Sequence, residues 1–66
     1  MEDVYIVRYF HTGLKGYENR TFGSGAHGYA LARAFFDSIV AANYPRFCVK
    51  IIFNSYIIDA KRKMDY

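Results

Sequence analysis

The stretch Arg46-Phe47-Cys48-Val49-Lys50-Ile51-Ile52-Phe53-Asn54-Ser55-Tyr56-Ile57-Ile58 decides the fold. Successive side chains of a strand point to opposite faces of a sheet. Phe47, Val49, Ile51 and Phe53 therefore share one face, and Arg46, Cys48, Lys50 and Ile52 the other. This alternation predicts a strand over 47–53. Asn54-Ser55 then reads as a two-residue hairpin turn, a place where asparagine tolerates positive φ. A partner strand over 56–61 should follow, with Tyr56, Ile58 and Ala60 continuing the core face and Ile57, Asp59 and Lys61 on the outer one. One alternative stays open, in which Ser55 caps a short helix over 56–64.

Upstream of this hairpin, Pro45 forces the residue before it out of the helical region, so a helix must end by Tyr44. The helix is expected over 26–43, with Ser24 as N-cap and Asn43 as a candidate for a left-handed cap. Gly23-Ser24-Gly25 separates it from a polar strand over 17–22, read as an edge. Residues 4–10, Val-Tyr-Ile-Val-Arg-Tyr-Phe, form a first strand of β-branched and aromatic residues, ended by the turn Thr12-Gly13-Leu14-Lys15-Gly16. Residues 62–66 are expected to fray. The fold class is therefore α+β: a single antiparallel four-stranded sheet with one helix on one face, in the order ββαββ. The 66 residues make one domain, 1–66.

Composition bounds the chemistry. A chain this short buries only roughly 60% of its unfolded surface. Its single cysteine, Cys48, precludes an intramolecular disulfide and is read as a core or sheet-face residue. The two histidines, His11 and His27, stand in no metal-ligand spacing and in no motif with Cys48, so neither a metal nor a cofactor is expected. The carboxylates form no acid–base pair. Gly23-Ser24-Gly25-Ala26-His27-Gly28 matches neither a dinucleotide fingerprint nor a P-loop, and Gly28 is read as permitting close helix–sheet approach. The chain reads as no enzyme, with no small-molecule substrate. No stretch reaches the roughly 20 apolar residues of a membrane span. The acidic start Met1-Glu2-Asp3 lacks a basic signal region, which points to the cytoplasm.

What remains is binding. Seven tyrosines and six phenylalanines exceed what so small an interior holds, so some rings must face partners. At about 100° per residue, Leu31, Ala32, Phe35, Ile39 and Ala42 form the expected core stripe of the helix. Tyr29, Phe36 and Val40 form a second stripe, available for a dimer or a partner unless a wide sheet covers both. The sheet face away from the helix should carry Arg46, Cys48, Lys50 and Ile52, then Ile57, Asp59 and Lys61, together with one of the two first-strand sets, Tyr5, Val7 and Tyr9 or Val4, Ile6 and Phe10. The partner-binding set is thus Tyr29, Phe36, Val40, Arg46, Lys50 and Ile52, serving a protein partner and a homodimer. The alternative is nucleic acid, with phosphates on Arg8, Arg20, Arg46, Lys50, Lys61 and Arg62 and bases on rings, although no RNP-like pattern accompanies them. The formal charge of +3 permits an acidic partner without requiring one.

Over residues 4–61 the length and ββαββ order resemble those of small inhibitors encoded by phages and mobile elements, some anti-CRISPR proteins among them. The resemblance rests on no sequence motif, so no residue role carries over. It implies a protein-interaction module that inhibits a host defence complex by direct contact in the host cytoplasm. The positive charge departs from the acidic character of DNA-mimicking inhibitors, which leaves steric contact or nucleic-acid binding as the implied modes.

Overall fold

The computed structural model describes residues 3–64. Its elements are β1 (Tyr5–His11), β2 (Glu18–Phe22), α1 (Gly25–Ala41), β3 (Arg46–Phe53) and β4 (Tyr56–Met64). The strands form one antiparallel sheet in the order β2-β1-β3-β4, with α1 packed across one face, as the pattern of the sequence predicts. The strands richest in apolar residues, β1 and β3, take the two central positions. Polar β2 and basic β4 form the edges, where charge discourages pairing with another chain.

The β3–β4 connection is the expected hairpin, and the helical alternative for 56–64 does not form. Asn54 and Ser55 both have positive φ, 53° and 72°, the conformation of a type I′ turn. This turn matches the right-handed twist of the flanking strands.

The core lies between α1 and the inner sheet face. Val7, Val49 and Ile51 are fully buried, together with Phe47 and with Ala32, Phe36 and Ile39 from the helix. The helix presents a different phase from the one expected. Phe36, assigned above to a partner stripe, is 1% exposed and lies at the centre of the core, whereas Leu31, assigned to the core, is 46% exposed. Val40 is half-buried against the same cluster. The helix is thus turned by about 50° from the expected orientation, taking 100° per residue. The cause is Gly28. A Cβ placed there would stand 1.8 Å from the Gly23 carbonyl oxygen, so only glycine lets the helix backbone close onto the connection from β2. That contact draws Gly28, Ala32 and Phe36 inward.

The helix ends also differ in detail. Ser24 occupies the N-cap position in extended conformation, but its side chain makes no capping hydrogen bond. At the other end Asn43 does not adopt the left-handed cap. The helix stops at Ala41, and Ala42 leaves in extended conformation with its N–H still donating to the Ser38 carbonyl at 3.0 Å. Pro45 three residues beyond makes an extended exit sufficient.

In β4, Ile52 pairs with Ile57, but Ile51 pairs with Asp59, which leaves Ile58 without a partner in the ladder. This bulge inverts the expected faces of the strand beyond it. Asp59, Lys61 and Lys63 stand opposite Ile51, Val49 and Phe47 on the helix-facing side. Ala60, Arg62 and Met64 stand opposite Lys50, Cys48 and Arg46 on the outer side. The expectation that Ala60 continues the core face and that Asp59 and Lys61 point outward is therefore reversed. The strand also runs three residues beyond 61: Arg62, Lys63 and Met64, expected to fray, pair with Cys48, Phe47 and Arg46. The remaining tail residues, Asp65 and Tyr66, lie outside the described residues.

The open sheet face as candidate functional site

The sheet face opposite α1 has no element of the described chain laid over it, apart from Tyr17 in the β1–β2 connection. Register fixes its composition, because cross-strand partners share a face. Three rows cross it. Ile6, Ile52 and Ile57 make an apolar row beside the β3–β4 hairpin. Arg8, Lys50 and Ala60 make the next, and Phe10, Cys48 and Arg62 the third. Arg46 and Met64 extend the face beyond them. The apolar row gives way to cations and a ring within the length of one strand.

Tyr17 lies over the two cationic rows. The Arg8 guanidinium stands 5.0 Å from the Tyr17 ring centre, and the Phe10 ring lies 5.8 Å away at 48°. Tyr17 remains 50% exposed. Its hydroxyl is raised above its ordinary titration range, chiefly by a hydrogen bond with Cys48, while Arg8 and Arg62 pull the other way. The phenol is therefore neutral and protonated at physiological pH. Tyr17, Cys48, Lys50, Ala60, Lys61 and Arg62 line a shallow depression of about 290 Å³.

The charge of this face is one-sided. Arg8, Arg46, Lys50 and Arg62 stand on it, and among the described residues no carboxylate does. Glu18 is opposite Tyr9 on the helix side and accepts a hydrogen bond from the Tyr9 hydroxyl at 2.8 Å. Asp37 lies on α1, 3.4 Å from Arg33, and Asp59 accepts from the same Arg33. Had β4 kept an unbroken alternation, Asp59 would have stood among these cations. Among the described residues the other five basic side chains are set against four acidic ones, so four of the five excess positive charges stand on this face.

The residues singled out in the sequence separate accordingly. Of the nucleic-acid set, Arg8, Arg46, Lys50 and Arg62 come together on the open face. Arg20 does not, because it pairs with Val7 and its guanidinium lies 5.1 Å from the Phe35 ring on the helix side. Lys61 also takes the helix-facing register on the edge strand, although it borders the depression. Of the partner set, Arg46, Lys50 and Ile52 share the open face. Phe36 is withdrawn into the core, and Val40 is half-buried against it. Tyr29 keeps an exposed flank, but its ring meets Tyr5 edge-on at 5.4 Å. The second helical stripe is thus covered at Phe36, partly covered at Val40 and open at Tyr29. The sequence set Cys48 on the outer face of β3 without making it a site residue, put Phe10 in one of two sets of β1 that could face outward, and gave no place on this face to Tyr17. For Tyr17, a lone aromatic after the glycine turn was the available signal.

A second concavity, of about 520 Å³, opens at the start of α1 between Asp3, Val4, Tyr5, Ser24, Gly25 and Phe53. Asp3 sets a negative charge beside the helix N-terminus, where an anion would otherwise be favoured. His11, the histidine nearest the open face in sequence, is stacked on Tyr44 at 4.0 Å on the helix side. Among the described residues, no three His, Cys, Asp or Glu side chains come together in a way that would hold a metal. Among the same residues, no helix is long and apolar enough to cross a membrane. No family model matches the chain, and no curated protein or solved structure shows significant similarity to it.

Proposed function

We propose that this chain is a small non-catalytic binding module that presents the open face of its sheet to an anionic macromolecule. One observation carries the reading: the three cations Arg8, Lys50 and Arg62 stand in adjacent rows of one face that, among the described residues, holds no carboxylate. A solvated sheet face with no partner normally intersperses both signs of charge. Here the bulge removes Asp59 from that face and sets it against Arg33 instead. The adjacent apolar row adds contact area that an electrostatic encounter alone would not need. Two copies meeting face to face would set like charges against one another, so the homodimer expected from the sequence is disfavoured on this surface.

The test is binding of poly-glutamate at low and high salt by the native chain and by the double variant Arg8→Glu/Arg62→Glu, two exposed positions. The reading requires binding by the native chain that weakens with salt and is lost in the variant. Equal binding by both proteins would refute it.

A second reading has its own observation. Tyr56, Ile57 and Ile58 form an exposed apolar cluster at the hairpin, with Tyr56 73% exposed. Such a patch suits a protein partner. In that reading the chain is a direct-contact inhibitor of a host protein complex, the role implied by its resemblance to phage-encoded inhibitors.

A further inference from the structure

We infer that the anionic partner of the open face is single-stranded nucleic acid, with a base stacked on Tyr17 and the flanking phosphates on Arg8, Lys50 and Arg62. The inference rests on the reading above and names the partner of the same face.

Three observations lead there. The first is the position of Tyr17. A ring that served only to cover the sheet would lie over the apolar row of Ile6, Ile52 and Ile57. Tyr17 instead stands over the cationic rows, beside Arg8 and Phe10, half in solvent. An acidic peptide supplies carboxylates for such cations but has no obligatory flat group for the ring. A nucleotide supplies both a charge and a π-face in one repeating unit.

The second is the shape of the face. The major groove of a duplex is about 12 Å wide and admits a helix or a two-stranded ribbon. Four strands at about 4.8 Å spacing are too broad to enter it. A single strand needs no groove, because it can lie across the sheet with its bases turned down.

The third is the chemistry of the depression beneath the ring. Lys50, Lys61 and Arg62 can only donate hydrogen bonds, and the Tyr17 hydroxyl and Cys48 complete its polar lining. Donors beside a stacking ring suit the carbonyl edge of a base such as thymine or uracil.

Fluorescence anisotropy with a labelled twelve-nucleotide oligothymidylate tests this, with an oligouridylate, a duplex of equal length and poly-glutamate as competitors. Three phosphate contacts predict an affinity loss of about 20-fold between 50 and 200 mM salt, from a slope of about −0.7 per contact. Tyr17→Leu should weaken oligothymidylate binding by about 10-fold, while Tyr17→Phe retains it. Arg62→Gln, at an exposed edge position, should lower the salt slope by about 0.7 and guards against a folding defect in the Tyr17→Leu variant. Preference of the deoxy or the ribo strand decides which polymer is the physiological one, and either outcome supports the inference. A tighter duplex, or poly-glutamate competing as well as the oligonucleotide with Tyr17→Leu neutral, overturns the single-strand inference and leaves the anionic face standing. Absence of binding to every polyanion overturns both.

Discussion

The Arg33 guanidinium on α1 donates a hydrogen bond to the Asp59 carboxylate on β4. This contact ties the helix to the edge strand, and it exists because Ile58 drops out of the β3–β4 ladder. The same residue thereby strips the open face of its nearest acid.

Hydrogen bonds from Arg33 and then from the Ala60 N–H hold Asp59 below its ordinary value of 3.8. A carboxylate with a lowered folded-state value contributes its full stabilisation above the unfolded value, and loses it as pH falls through the folded one. The contribution is thus complete at neutral pH and declines below about pH 4. Both side chains are about one-third exposed, so salt should screen it. Urea midpoints measured from pH 6 to pH 2 should fall less steeply for Asp59→Asn than for the native chain, starting from a lower value at pH 6.

Deleting Ile58 removes the bulged residue and leaves Ile57 opposite Ile52 and Asp59 opposite Ile51. Residues 59–64 should therefore keep their faces, with Asp59 on the helix side and Arg62 on the open face. The expected result is a retained Arg33–Asp59 contact, visible in the Arg33 side-chain resonances, together with unchanged polyanion binding. Loss of both in a folded deletion variant would show that residues 59–64 had moved to the other face.

Gly28→Ala should destabilise the fold by about 1–3 kcal/mol, the usual cost of overpacking. The added methyl would collide with the Gly23 backbone, which has no flexible side-chain end to yield. Equilibrium urea unfolding measures this. Ala30→Gly, on the exposed flank of the same helix, serves as a control for simple propensity, at about 1 kcal/mol.

Ser55→Gly should stabilise the hairpin. Ser55 sits at φ 72°, a conformation that glycine adopts without a Cβ clash. Allowing for the greater chain entropy of glycine, a net gain of about 0.5 kcal/mol is expected. That corresponds to a rise in Tm of about 2–4 °C, read from a thermal melt.

These sites also show what was legible in the sequence. β3 was readable because Phe47, Val49 and Ile51 alternate with polar residues, and Asn54-Ser55 marked its turn. β4 was not, because Tyr56, Ile57 and Ile58 form an unbroken apolar run in which no alternation reveals a bulge. The helix phase was ambiguous for a related reason: its apolar residues wrap more than one face. The backbone contact of Gly28 with Gly23 then decided among them, and it is invisible to hydrophobic periodicity. Arg46 and Lys50 were placed correctly because they lie on the best-patterned strand. Lys61 was misplaced by the bulge, and the face of Arg20 depended on the pairing of β2 with β1. Tyr17 belongs to the site through the path of a loop, which no local pattern encodes.

The central claim is that the open sheet face is the binding surface. Backbone amide chemical-shift mapping during titration with oligothymidylate at low salt tests it most directly. The account predicts shifts concentrated at Arg8, Phe10, Tyr17, Cys48, Lys50 and Arg62, with the outer flank of α1 around Ala30, Ala34 and Asp37 unmoved. Shifts confined to α1, or none at saturating oligonucleotide and poly-glutamate alike, would contradict it.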